Sequence, residues 1–144
     1  MRYLFILILL SFQLNAQILR PEPNASDLII EETLKLNQEL FKQPSFMQPV
    51  VYISFAPLFP GLAGLTRKLD DKLYIVDLNP MYSKDVLEKV LIHELVHVYQ
   101  IDCGKLEKTA KGFIYEGFLY SFKFPYKLRP WEIEANQKVS EVCD

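Results

Sequence analysis

The sequence predicts a single α+β domain. The chain has 144 residues, of which 50% are hydrophobic and 24% are charged, so it can bury one core and is too short for two domains. Two short runs rich in β-branched and aromatic residues precede a long segment with apolar residues at helical spacing, and a second helical segment ends the chain. This composition excludes disordered, repetitive and disulfide-dense classes of protein.

The first 16 residues have the order of a secretory signal peptide. Arg2 provides a short basic start, the apolar run 4–10 follows, and Ala16 precedes the expected cleavage point. That run is shorter than the roughly 20 residues that span a bilayer, so we expect no stable membrane span after cleavage. The mature domain would be residues 17–144, exported to the periplasm or the extracellular space. An uncleaved N-terminal anchor is the alternative.

The charge of the chain argues against a nucleic-acid partner. The formal net charge is −2, and the Lys and Arg residues are scattered along the sequence. Binding to phosphates needs a concentrated basic face, which this sequence does not predict.

The segment after the leader predicts a helix followed by two strands. The helix is capped by Asn24 or Ser26 and extends to Phe41. The next elements are a strand at 50–55, a loop at 57–64 and a strand at 73–78.

The best-defined helix begins after Ser83, a typical N-cap residue, and its apolar spacing continues to about Ile101. Residues 105–124 are rich in Phe and Tyr but contain two glycines, so they could be helical or extended. A final helix should begin near Pro130, which suits a first helical turn, and run through Val142.

Both histidines of the chain lie within one turn of the predicted helix. His93, Glu94 and His97 form a His-Glu-x-x-His pattern. Two residues four apart are displaced by about 40° around a helix axis, so their imidazoles can converge on one metal ion. Glu94 lies about 100° from His93, where it can act as a general base beside the ion. The alternative is that the histidines only form hydrogen bonds in a polar patch.

A zinc ion at this position needs a third protein ligand, which must be a carboxylate or a thiolate because no histidine remains. Here the sequence resembles gluzincin-type zinc metallopeptidases, in which a second helix supplies a glutamate. The stretch 130–136, Pro-Trp-Glu-Ile-Glu-Ala-Asn, is similar to the family pattern Glu-x-Glu-Ala-Asp. The resemblance implies a zincin-like fold, Glu132 as the third ligand, and Asn136 in place of the Asp that supports a ligand histidine. Asn keeps the hydrogen-bond acceptor but lacks the charge.

Glu134 offers a competing alignment with the same family pattern. In that alignment Glu134 is the ligand and Lys138 fills the supporting position. Lys cannot accept a hydrogen bond, so Glu132 is preferred. A solvated helix face is the ordinary alternative for both glutamates.

The resemblance implies hydrolysis of a peptide or protein substrate by zinc-activated water, with Glu94 as the general base. It also implies that the strand at 73–78 is an edge strand that binds extended peptides, although an ordinary core strand is the alternative.

Peptide hydrolysis also needs a donor that stabilises the negative charge on the attacked carbonyl oxygen, the oxyanion. The candidates, chosen by position only, are Tyr115, Tyr120, Tyr126 and Arg129. Trp131 is expected to be a core anchor.

The two cysteines, Cys103 and Cys143, predict a disulfide in an exported protein. Given the resemblance, this bond would join the two ligand-bearing helices. Two buried free thiols are the alternative.

The alternative to a peptidase is a catalytically silent, zinc-stabilised binding module. One version of this module uses both histidines and both cysteines as metal ligands.

Overall fold

The computed structural model describes residues 17–19 and 49–143. The predicted signal peptide and the predicted helix ending at Phe41 lie outside these residues. The described elements, in chain order, are β1 (Gln17–Leu19), β2 (Val50–Phe55), β3 (Gly64–Asp70), β4 (Leu73–Leu78), α1 (Lys84–Asp102), β5 (Leu106–Thr109), β6 (Gly112–Tyr115), β7 (Phe118–Ser121), a short 3-10 helix (Tyr126–Leu128) and α2 (Pro130–Cys143). The α+β class is therefore confirmed. Neither described α-helix combines the length and hydropathy needed to cross a membrane.

The larger sheet is mixed and has the strand order β1-β2-β4-β3. Strands β1, β2 and β4 are parallel, and β3 is antiparallel to β4. Alternate residues of β4, Tyr74 and Val76, are fully buried, as the two-residue period of a strand requires. They pack with Val51 of β2 and with Leu91 and Leu95 of α1 in the main core.

Strand β4 is a central strand, so the expectation that residues 73–78 form the edge strand is wrong. It is hydrogen-bonded to β2 on one side and β3 on the other, and β3 is the edge next to it among the strands that the structure describes. The sequence did not predict β3 because most of its residues are exposed and polar, including Arg67 and Lys68. An exposed edge strand lacks the apolar run that identified β2 and β4.

Helix α1 has the predicted boundaries. Ser83 is its N-cap residue by backbone position, although its side chain makes no capping hydrogen bond. The chain reverses after the helix at Gly104, whose φ of 76° lies in the left-handed region that glycine favours. Helix α1 packs against β3 and β4 of the larger sheet and carries both histidines.

The ambiguous segment 105–124 is extended. Strands β5, β6 and β7 form an antiparallel three-stranded sheet. Gly112 begins β6 with a φ of 152°, and a side chain there would collide with the Tyr120 carbonyl on β7. The glycines that obscured the prediction are therefore features of a tight hairpin sheet.

Helix α2 packs against α1. Trp131, in its first turn, lies beside Gln100 near the end of α1, and Asn136 lies beside His93. The first half of α2 therefore faces the side of α1 that carries both histidines.

The prediction of a disulfide is wrong. Cys103 and Cys143 are both exposed and no bond joins them. Cys103 lies just beyond the end of α1, and Cys143 is the last residue of α2. The Cys103 thiol instead contacts the Gln100 carbonyl oxygen at 3.7 Å.

Candidate metal centre

Three side chains from the two helices converge on one point. The Nε2 atoms of His93 and His97 are 3.0 Å apart. Glu132 Oε2 lies 3.0 Å from the first and 3.4 Å from the second. Glu132 is buried, with 7% of its surface exposed. The structure therefore brings together the three residues that were predicted as ligands.

The spacing of these atoms fits a metal ion. Ligand atoms about 2.0 to 2.1 Å from a tetrahedral ion are separated by about 3.3 Å, close to the three observed distances. The donor set of two imidazoles and one carboxylate is also one that metal ions use. This group could hold a metal ion. Among the residues described, neither cysteine belongs to it, which contradicts the version of the site with two cysteine ligands.

Each histidine is held by an amide oxygen on its outer nitrogen. His93 Nδ1 is 3.1 Å from Asn136 Oδ1, and His97 Nδ1 is 2.8 Å from Gln100 Oε1. These contacts leave both Nε2 atoms for the centre of the cluster. Asn136 thus occupies the predicted supporting position. Gln100 was not among the residues predicted from the sequence, although its spacing of three residues from His97 places the two on one helix face.

Glu134, the competing candidate ligand, is directed away from the cluster. Its carboxylate accepts hydrogen bonds from Lys105 Nζ at 2.8 Å, Tyr115 Oη at 2.6 Å and Gln100 Nε2 at 2.8 Å. Neither glutamate therefore lies on a merely solvated helix face.

Glu94 is also buried but does not join the three convergent atoms. Its Oε2 accepts a hydrogen bond from the Thr66 hydroxyl at 2.7 Å. Gly64 lies against the same side chain, since a Cβ at that position would come within 2.9 Å of Glu94 Cγ. Strand β3 therefore fixes the carboxylate that the sequence predicted as a base.

The cluster favours an ionised Glu132. Burial alone would raise the pKa of this carboxyl, but hydrogen bonds with His93 and His97 outweigh burial and hold it well below its usual range. Burial would likewise lower the pKa of His97, but the bond to Glu132 raises it. An ionised carboxylate is the form that binds a cation.

The candidate oxyanion donors divide into two pairs. Tyr126 and Arg129 line the groove that contains the cluster. Burial and a hydrogen bond to Glu132 raise the pKa of Tyr126, so its hydroxyl stays protonated. Tyr115 instead donates to Glu134, and the ring of Tyr120 packs on Trp131.

The groove has a volume of about 890 Å³. Its lining includes β3, from Gly64 to Lys68, as well as Leu106 to Lys108 and Trp131. Trp131 is only 2% exposed, as expected of a core anchor. The groove therefore places β3, an edge among the described strands, beside the three convergent atoms.

Comparison with protein-family models, with curated proteins and with solved structures found no match to this chain.

Proposed function

We propose that this chain is an exported zinc-dependent peptidase with a zincin-like domain. In this proposal His93, His97 and Glu132 hold Zn²⁺, and Glu94 is the general base. The observation that carries it is the convergence of the three ligand atoms at 3.0 to 3.4 Å in a groove that also contains Glu94. A purely structural metal site has no need for that carboxylate beside its ligands.

The residues of the chain supply proton transfer and orientation. A bound zinc ion would act as a Lewis acid that lowers the pKa of water towards about 7 and polarises a carbonyl. Glu94 takes the proton of the attacking water and later delivers it to the leaving amine. The Thr66 hydroxyl holds the Glu94 carboxylate in place. Tyr126, protonated and at the groove, is the candidate donor to the oxyanion.

The substrate would lie along β3. Within residues 17–19 and 49–143 this strand is an edge of the larger sheet, and its residues Gly64 to Lys68 line the groove. An extended peptide can add to such an edge through main-chain hydrogen bonds. Peptide addition at β3, rather than at β4, is therefore the binding mode that we propose.

The deciding experiment compares the wild-type protein with Glu94→Gln. We expect both proteins to bind one zinc ion each, and peptide cleavage to fall by about 10² to 10⁴ in the variant because the base is removed. Metal analysis and a broad peptide library measure the two properties. Stoichiometric zinc without cleavage by the wild-type protein would contradict the peptidase and support a silent binding module.

The groove also predicts a charge preference. Lys68, Lys108 and Arg129 line it together with the acidic residue Glu107, and Lys68 pairs at the surface with the exposed Asp71 at 3.6 Å. Peptides with carboxylate side chains should therefore bind better than basic ones. We expect Lys108→Glu to raise the KM for acidic peptides about fivefold, as an exposed charge contact of about 1 kcal/mol predicts.

Lys111→Glu is the matched control for that test. Lys111 is exposed and close in sequence, but it does not line the groove. Equal effects of the two substitutions, or an effect that persists in high salt, would contradict a local electrostatic preference.

A further inference from the structure

The side-chain amide of Gln100 connects His97 to Glu134. Gln100 is fully buried, and its Nε2 lies 3.0 Å from the Trp131 carbonyl and 2.8 Å from Glu134 Oε2. A carbonyl and a carboxylate only accept hydrogen bonds, so the atom facing them must be the amide nitrogen. The amide oxygen must therefore face His97.

This orientation determines the proton position on His97. The Gln100 oxygen lies 2.8 Å from His97 Nδ1, and an oxygen of this kind can only accept. His97 must then carry a proton on Nδ1. When a metal ion is bound, His97 Nε2 then offers the lone pair that a metal ligand requires.

Glu134 is itself anchored by the smaller sheet. Tyr115, at the end of β6, donates to Oε2 at 2.6 Å, and Lys105, just before β5, donates to Oε1 at 2.8 Å. Lys105 thus keeps Oε1 on its own side and leaves Oε2 to Gln100. The orientation of the amide is set from outside the metal cluster.

We infer that Glu134 is a positioning residue that acts through Gln100 to hold His97 as the Nδ1–H tautomer. The buried Gln100 and the partly exposed Glu134 form a relay between the smaller sheet and a ligand of the candidate metal centre. This inference rests on the metal-binding part of the proposed function and is independent of peptide hydrolysis.

The first test replaces Glu134 with Gln. Lys105 would attract the new amide oxygen, so the amide nitrogen would face Gln100 Nε2, and two donors would oppose each other. We expect zinc affinity to fall by about tenfold to a hundredfold, the range for residues that support a ligand. Lys105→Gln is the matched control, because it removes the same ion pair but keeps the Glu134 acceptor, and its loss should be smaller.

The second test exchanges the two groups. Gln100→Glu alone places two carboxylates together and should weaken zinc binding. Gln100→Glu combined with Glu134→Gln keeps the acceptor for His97 and restores a donor–acceptor pair between positions 100 and 134, while the Trp131 carbonyl loses its donor in both variants that carry Gln100→Glu. The double variant should therefore bind zinc more tightly than Gln100→Glu alone, without reaching the wild-type affinity. If its loss equals the sum of the single losses, the two residues do not act as a relay.

A readout without metal separates this inference from the proposed function. Long-range ¹H–¹⁵N spectra of the metal-free Glu132→Ala variant, at alkaline pH where imidazole is neutral, identify the protonated nitrogen of His97. This background lacks the carboxylate that would compete for a proton on His97 Nε2. We expect Nδ1–H in Glu132→Ala and a mixture of tautomers when Glu134→Gln is added to it. An Nε2–H tautomer in Glu132→Ala would overturn the relay. Absence of zinc binding by the wild-type protein, with Nδ1–H present in Glu132→Ala, would instead overturn the proposed function alone.

Discussion

Glu132→Ala is expected to abolish stoichiometric zinc binding, since it removes the carboxylate among the three convergent atoms. Two imidazoles on one helical turn would remain, with no anionic ligand and no contribution from α2. Zinc content after dialysis measures the effect. Glu134→Ala should retain zinc at reduced affinity, because Glu134 acts one step away from the ligands. Zinc lost in Glu134→Ala and kept in Glu132→Ala would transfer the ligand role to Glu134.

A stability measurement provides the control for that result. Zinc would join α1 to α2, so it should raise the free energy of unfolding by about 2.7 kcal/mol at a concentration 100 times its Kd. Glu132→Ala should remove this increment, whereas Glu141→Ala should keep it. Glu141 is exposed on the same helix and pairs only at the surface with Lys138.

The elements that bury an apolar face could be predicted from the sequence. Residues 50–55, 73–78 and both helices have the period of a strand or a helix, because one side of each must face the core. The candidate ligands followed from the same geometry. His93 and His97 share one face of a helix whatever the tertiary structure is. Glu132 was predicted from the resemblance to the gluzincin-type pattern.

The rest depends on contacts between distant segments. Strand β3 exists because it pairs with β4, and its exposed residues carry no apolar period. The relay through Gln100 requires the packing of α2 and the smaller sheet on α1, which no local pattern specifies. The disulfide prediction failed for a related reason, since the sequence does not give the relative positions of the ends of α1 and α2.

Trp131→Ala should be the most destabilising single substitution away from the metal cluster. Trp131 is 2% exposed, and its ring contacts those of Phe113, Tyr115 and Tyr120 at centroid distances of 5.2 to 6.0 Å. It is the main apolar contact between α2 and the smaller sheet. Truncating a buried Trp costs about 3 to 5 kcal/mol, a large share of the 5 to 15 kcal/mol that stabilise a typical domain.

Urea denaturation followed by circular dichroism measures the loss, and Trp131→Phe keeps the test valid if the alanine variant does not fold. The phenylalanine variant should lose less, because an aromatic ring still fills part of the site. Phe118→Ala is the matched control, since its side chain is 71% exposed and should change stability by no more than about 0.5 kcal/mol. A loss below 1 kcal/mol in Trp131→Ala would show that the smaller sheet is held to α2 by polar contacts alone, chiefly those that Glu134 makes with Lys105 and Tyr115. In that case Glu134→Ala should detach the smaller sheet from α2, and the relay to His97 would be the principal link between the smaller sheet and the two helices.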